Sequence, residues 1–431
     1  MVERVVASRL LYHVNSHHLL PERQSAYRFF HSTETAIAAV HNDLVVASDA
    51  NLVSAIVMLD LSSAFDTVDH KILLSLLQRR FGLDDRVLRW FTSYLHERSQ
   101  KFLVNGHYSS NQPVTFSVPQ GSVLGPLLFI MYTEDVTSIL DRYSLHYHLF
   151  ADDKQAYTSA SPSAINGVRD RLHHCTTDIG CWCSSRRLQL NESKTELAWF
   201  GKRSHLAKLA NSDCSVTVGA NIIQPKTSVR NLGVLFDSEL NLKKHVTTVT
   251  SMCFYQLRRL RQIRRLVGPD LTAQLVHAFI LSRLDYGNSC LAGLPNSTIT
   301  SLQRVQNAAA RLIMNLTPFD HVSSTLKLLH WLPVHRRIKY KLCSLMHSIH
   351  VRQCPVYLSQ LVQGYAVTQR RLGLRSGNSS DYRIPSGRSA FGECAFSFAG
   401  PSAWNTLPST LKNITDRKVF LRQLKTFLFS A

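Results

Sequence analysis

Residues 145–157, "LHYHLFADDKQAY", set two adjacent acids, Asp152 and Asp153, between an aromatic and apolar run and a second β-rich segment. "LHYHLF" and "KQAYTS" have the residue types of two short strands, and Ala151-Asp152-Asp153 falls at the bend between them. This spacing predicts a hairpin whose tip lets both acidic side chains leave the sheet. A companion stretch, "LVSAIVMLDLSS" at 52–63, is almost wholly apolar and ends in Asp60. That is the pattern of a strand buried on both faces with one charge at its end. If the three acids converge, each pair at ~4 Å and an effective dielectric of ~20 repels by about 4 kcal/mol. Protonation is one way to offset such a cluster, and hard divalent cations are another, because they take oxygen ligands and bind with carboxylates plus substrate phosphates.

Working outward, "TETAIAAVHNDLVVAS" (33–48), "VDHKILLSLLQRR" (68–80) and "DDRVLRWFTSYLHER" (84–98) carry helical spacing of apolar residues. Asp66 and Asp69 have the position of helix-starting residues. "QKFLVNGHYSS" holds Asn105-Gly106 between β-rich flanks, a hairpin signal. "VPQGSVLGPLLFIMYTEDV" turns at Pro119 and Gly121 and enters an apolar helix. A long helix follows at about 163–186, then two β segments, "SVTVGANIIQP" and "VRNLGVLFD". An α+β sheet domain is therefore expected over roughly the first 237 residues.

The 431 residues, 45 % apolar, suffice for two or three domains with real cores. Lys and Arg outnumber Asp and Glu 49 to 29, a formal net charge of +20. The partner implied first is nucleic acid, and second an anionic membrane. From 241 to 350 there are fifteen Lys or Arg against Asp270, Asp285 and Asp320, and "QLRRLRQIRR" interleaves arginines with apolar residues, so one face can pack while the other meets phosphates. The run "VLGPLLFIMY" is about half the ~20 residues a membrane span needs, and "MVERVVASRLLYHV" breaks its apolar face with charge. An intracellular protein of nucleus or cytoplasm is expected. Of the nine cysteines, the one close pair, Cys181 and Cys183, lacks the spaced second pair of a zinc finger. Ile165, Val168, Leu172, Ile179 and Trp182 recur at helical spacing through this segment, so His173, His174 and Cys175 read as part of a helix rather than as ligands.

Five segments, "AIVMLDLSSAFDTVDH", "SVPQGSVLGPLLFIMYTEDV", "HLFADDKQAY", "LQLNESKTEL" and "VRNLGVLFD", occur in the order and approximate spacing of the palm motifs of reverse transcriptases. More narrowly, the chain resembles the polymerase of non-LTR, LINE-type retrotransposons of the jockey-like group. "RQSAYRFFHSTETA" resembles the fingers motif that precedes the palm, and "FSFAGPSAWNTLP" resembles the end of the same reading frame. The resemblance implies an α+β right-hand polymerase fold: partial fingers at 1–52, a palm with an antiparallel sheet at 53–237 carrying a fingers insertion at about 81–118, a helical basic thumb at 238–330, and a C-terminal extension of unknown role at 331–431. "MVERVVASRLL" resembles the middle of the first fingers motif, which implies an N-terminally truncated polymerase lacking the preceding strand and its basic residue. Endonuclease activity would have to come from another domain or chain.

The resemblance also implies RNA-directed DNA polymerisation, with an RNA template, a DNA primer and dNTP as partners and no membrane. Asp60, the carbonyl of Leu61, Asp152 and Asp153 would hold two Mg²⁺ ions, with Mn²⁺ able to substitute, in an in-line phosphoryl transfer. Lys194 would protonate the pyrophosphate as general acid. Arg28 would contact the triphosphate, Phe65 would be the ring that excludes a ribose 2′-hydroxyl, and Gln120 and Gly121 would form the turn approaching nucleotide and template base. Asn231, Leu232, Gly233 and Val234 would grip the primer. Ala26 stands where the family commonly has Gly. Lys154 stands where a small or apolar residue is usual, and on a strand its ammonium points away from Asp153. A rival stays open: a catalytically inactive retroelement remnant that binds nucleic acid.

Overall fold

The computed structural model describes residues 1–209, 212–317, 319–364, 380–386 and 389–430. The chain divides into two compact units, one of Met1–Ser32, Ala55–Trp199 and Leu209–Lys226, the other of Thr33–Ser54, Phe200–Lys208 and Thr227–Ala431. Two helices come first: α1 (Val2–Ser16) belongs to the first unit and α2 (Thr33–Asp49) to the second.

The first unit is built on the apolar run that ends in Asp60. It forms β1 (Val53–Leu59), with Val53, Ala55, Ile56, Val57 and Leu59 all buried, as a strand covered on both faces requires. The chain continues through β2 (Leu61–Ser62), α3 (His70–Arg79) and α4 (Asp85–Leu95). Asp69 caps α3, its carboxylate accepting from the Ile72 N–H at 3.0 Å. Then β3 (Ser99–Gln100) pairs with β6 (Gln112–Pro113), and β4 (Leu103–Val104) with β5 (His107–Tyr108). The turn between β4 and β5 is Asn105-Gly106, with φ of 49° and 83°, the left-handed pair that a two-residue hairpin needs.

Next come α5 (Gly125–Tyr132), α6 (Thr137–Arg142), β7 (His146–Phe150) and β8 (Asp153–Ala160). β7 and β8 pair antiparallel with Phe150 opposite Asp153, so the expected hairpin is present. The long helix is α7 (Ile165–Ser185), whose buried stripe is Ile165, Val168, Leu172, Cys175, Ile179 and Cys183. Trp182, read as part of that stripe, is only half-buried and donates to Asp135 at 3.0 Å. β9 (Gln189–Leu190) pairs with β2, and β10 (Glu196–Phe200) completes a four-stranded sheet ordered β10-β1-β8-β7. Beyond a short α8 (Arg203–Leu209), which lies almost wholly in the second unit, β11 (Val216–Val218) and β12 (Asn221–Ile223) make a third hairpin.

The last and longest stretch of the second unit starts with the hairpin of β13 (Ser228–Asn231) and β14 (Val234–Asp237). α9 (Lys243–Val276) bends at Gly268, whose φ of 76° leaves the helical region just before Pro269. After α10 (Ser282–Asp285), α11 (Asn296–Met314) packs along α9. α12 (Ser323–Leu328), α13 (Val334–His350), α14 (Val356–Ser359), α15 (Phe396–Asn405), α16 (Ser409–Lys412) and α17 (Arg417–Ser430) follow. α2 joins this part of the chain: the Thr35 and Tyr357 hydroxyls lie 2.8 Å apart, the Ser397 N–H donates to Asn42 at 2.9 Å, and Lys341 pairs with Glu34 at 2.7 Å. Parts of the 331–431 segment thus pack against α2, while its residues 365–379, 387–388 and 431 lie outside the described ones.

Candidate active site

Asp60 sits where β1 gives way to β2. Its carbonyl accepts from the Asn191 N–H at 2.8 Å, and Leu61 pairs with Leu190, so the chain after β9 is sewn against this strand end. The Thr195 N–H closes the following turn on the Asn191 carbonyl at 3.0 Å, and Lys194 lies within that turn. Its ammonium stands 3.5 Å from Asp60 Oδ2. That oxygen is buried and accepts no hydrogen bond. Lys194 itself is exposed, so water screens much of the attraction.

Asp152 and Asp153 come from the β7–β8 tip, where Ala151 takes a left-handed φ of 56°. Partial desolvation, and then the charges of Asp152 and Asp60, raise the Asp153 carboxyl above the ordinary aspartate range, with Lys154 opposing. The adjacent pair and Asp60, 92 positions upstream, therefore share one field. Lys154 is buried on the other face of β8, as strand alternation demands. Its Nζ donates to the Ala151 carbonyl at 3.4 Å and lies 5.6 Å from the Phe129 ring centroid, and burial lowers its pKa to about 8.

The same Phe129 ring stacks on Phe65, with centroids 4.5 Å apart. The Phe65 carbonyl accepts from the Val118 N–H at 3.0 Å and the Val68 carbonyl from the Ser117 N–H at 2.8 Å, which docks the 65–68 turn beside the Pro119-Gln120-Gly121 bend. Gln120 donates to Asp66 at 2.7 Å. Gly121 has φ 77° and open space where a Cβ would stand, so its backbone is both strained for other residues and approachable.

Arg28 is turned onto its own loop, donating to the Pro21 and Gln24 carbonyls at 2.6 and 3.2 Å. Asn231 to Val234 belong to the second unit. Leu232 (φ 42°) and Gly233 (φ 93°) make the β13–β14 turn, the Tyr286 hydroxyl donates to the Leu232 carbonyl, and a Cβ on Gly233 would stand 3.1 Å from the Tyr286 ring.

Two neighbours of the acids carry no sequence signal of their own. Gln24 is buried and accepts from the Ala151 N–H, and Tyr27 has its phenol pKa raised by burial and then by the charge of Asp152. Both belong to "RQSAYRFF", but their partners lie more than a hundred residues away, beyond the reach of local periodicity. Among the described residues no three His, Cys, Asp or Glu side chains are already closed up as a metal cage. The donor set nevertheless fits a hard divalent cation. Asp60 offers a buried oxygen without a hydrogen-bond donor, and Asp153 is disfavoured as an anion by partial burial and then by the carboxylates beside it.

A family model described as reverse transcriptase (RNA-dependent DNA polymerase) matches residues 1–236. The chain is 28 % identical over 324 residues to the probable RNA-directed DNA polymerase from transposon BS of Drosophila melanogaster, covering 72 % of this chain and 34 % of that protein. It is 26 % identical over 256 residues to the RNA-directed DNA polymerase from mobile element jockey of the same organism, covering 58 % and 27 %. The corresponding values for the probable RNA-directed DNA polymerase from transposon X-element of that organism are 27 % over 327 residues, covering 72 % and 34 %. The chain spans about a third or less of the length of these curated relatives.

Proposed function

The chain belongs to the reverse transcriptase family, and from that premise we propose that it is the RNA-directed DNA polymerase of a jockey-like, non-LTR retrotransposon. Its α+β fold is the right-hand polymerase fold of that family, which generally uses divalent metal ions. The observation that carries the proposal is the field shared by Asp60, Asp152 and Asp153, with Lys194 at its edge. Asp60, the Leu61 carbonyl, Asp152 and Asp153 would hold two Mg²⁺ ions, with Mn²⁺ able to substitute. Bound there, the metal supplies positive charge for the attacking primer oxygen and the leaving pyrophosphate.

In the reaction the primer 3′-hydroxyl would give up its proton to water, its oxygen would bond to the dNTP α-phosphorus, and the bond from that phosphorus to the bridging oxygen of the pyrophosphate would break. Lys194, 3.5 Å from Asp60, would give a proton to the departing pyrophosphate. Phe65, held by Phe129, would lie under the sugar and leave no room for a 2′-hydroxyl. Gln120, fixed by Asp66, and Gly121 would line the approach of nucleotide and template base, and Arg28 would reach the triphosphate from its loop. In this reading the first unit carries the palm and the fingers insertion, Asn231 to Val234 grip the primer, and the basic helices from 238 to 330 follow the template–primer phosphates. No helix among the described residues is long and apolar enough to cross a membrane, and the proposed place of work is the nucleus or cytoplasm.

Primer extension on an RNA template with Mg²⁺ or Mn²⁺ tests the reading. The expected result is dNTP incorporation by the chain and none by Asp152→Asn. Incorporation no greater than that of Asp152→Asn, with salt-sensitive template binding intact, would instead support a nucleic-acid-binding remnant.

A further inference from the structure

The three consecutive side chains Arg23, Gln24 and Ser25 all reach the hairpin that carries Asp152 and Asp153. The backbone comes first: Gln24 bridges to Leu149 in parallel, the Ser25 N–H donates to the Leu149 carbonyl and the Leu149 N–H to the Arg23 carbonyl, each at 2.9 Å. Because β7 is the outer strand of its sheet, this segment occupies an edge that is otherwise open. Arg23 then donates to the Tyr157 hydroxyl of β8 at 2.8 Å, and Ser25 Oγ lies 2.8 Å from His148 Nε2 of β7.

Gln24 reaches the turn itself. Its side chain is 1 % exposed, and its Oε1 accepts from the Ala26 N–H at 3.0 Å and from the Ala151 N–H at 3.3 Å. Ala151 holds φ 56°, a left-handed conformation that disfavours a residue with a Cβ and persists only where the surroundings impose it. The next residue is Asp152. A neutral amide oxygen suits this place, since a carboxylate would add a fourth negative charge beside three acids.

We propose that Gln24 is a positioning residue for the reaction: by accepting from the Ala151 amide it fixes the left-handed turn from which Asp152 and Asp153 are presented to the divalent cation and the reacting phosphate. The inference rests on the polymerase reading of that acid cluster. Gln24 touches neither substrate nor metal in this role, and acts through Ala151.

Gln24→Met keeps the volume and removes the acceptor, and Gln24→Met/Ala151→Gly lets the turn form without the acceptor's help. Each variant, with the wild-type chain and Asp152→Asn, is bound to an RNA template with a dideoxy-terminated primer and titrated with Mn²⁺ by electron paramagnetic resonance. Gln24→Met is expected to weaken Mn²⁺ binding and lower kcat by about tenfold each, a loss of about 1.4 kcal/mol. Template–primer Kd and the KM for dNTP should stay within about twofold of wild type, and the added glycine should restore most of the loss. Wild-type Mn²⁺ affinity in Gln24→Met, or loss of metal and template binding together without rescue by glycine, would overturn the proposal. Amide hydrogen exchange of residues 149–154 separates this from the parent reading. If the wild-type chain binds no more Mn²⁺ than Asp152→Asn and extends no primer, the polymerase reading fails. Faster exchange at the turn in Gln24→Met then still supports its hold on Ala151, and unchanged exchange rejects it.

Discussion

Phe129 is fully buried and holds two groups at once, stacking on Phe65 and facing the ammonium of Lys154. If Phe65 selects the sugar, as proposed, it must resist being pushed aside, and the ring behind it is Phe129. Phe129→Leu should therefore relax selection without abolishing polymerisation: the ratio of kcat/KM for dNTP over rNTP is expected to fall by about tenfold, or ~1.4 kcal/mol. An equal fall for both nucleotides would mean that Phe129 only supports the fold. His148 gives a pH dependence at the same scale. It is fully buried, and burial lowers its pKa from 6.5 to about 3. Between those values the unfolded chain binds a proton that the folded one excludes. Its contribution to stability is therefore complete above pH 6.5 and is lost as pH falls toward 3, by up to about 1.4 kcal/mol per pH unit. Stability of the first unit measured by hydrogen exchange should show a shallower acid slope in His148→Gln, and an unchanged slope would count against the assignment. The acids at a strand end and a hairpin tip were legible because a charge closing an apolar run is a local pattern. Gln24 and His148 were not, because what gives them meaning is a hydrogen bond to a residue remote in sequence.

At the scale of elements, α9 has unequal arginines. The alternation in "QLRRLRQIRR" predicts one packing face and one phosphate-facing face, and Leu257 and Leu260 are buried. Arg264, however, turns to the end of α11, donating to the Leu312 and Ile313 carbonyls at 2.5 and 3.1 Å and to Asn315 at 3.0 Å. It satisfies carbonyls left open where that helix stops, a role set by a partner helix that no local pattern reveals. Arg261 and Arg265 stay exposed beside a cavity of about 540 Å³ that Arg264 and Arg311 also line, with no acid among its described lining residues. If the two exposed arginines meet phosphates, Arg261→Ala/Arg265→Ala should reduce the slope of log K against log salt for template–primer binding by about 2, near 0.9 per lost contact on duplex. The same double change should leave the melting temperature within a degree or two, since surface substitutions usually cost under ~0.5 kcal/mol. A full wild-type salt slope would remove these residues from the interface.

At the scale of the molecule, the segment from 331 onward is where the structure adds most to the sequence. "FSFAGPSAWNTLP" has Gly and Pro where a helix is least expected, yet Phe396–Asn405 is helical. Gly400 allows it to pack closely: a Cβ there would stand 2.9 Å from Met346 Sδ and 3.3 Å from the Phe396 ring. Around this contact lie Trp404 and Phe420, both fully buried, with His347 stacked on Phe420 at 4.0 Å. Trp404 donates to the Ser380 carbonyl at 3.0 Å and lies 5.2 Å from the His350 ring. The α2 helix, buried on almost every face, shares this core through Asn42 and Thr35. Helices α2, α13, α15 and α17 are thus one cooperative body assembled from chain segments some 300 residues apart, which is why neither end reads as core by itself. Trp404→Ala removes a large buried ring and should cost the second unit about 3 to 5 kcal/mol, a large part of the ~5 to 15 kcal/mol that holds a domain folded. Hydrogen exchange should then speed up together at 33–49 and 334–350, whereas the amides of 146–160 keep their wild-type protection. Faster exchange confined to 396–430 would instead make the C-terminal helices an appendage, and would return α2 to a different core.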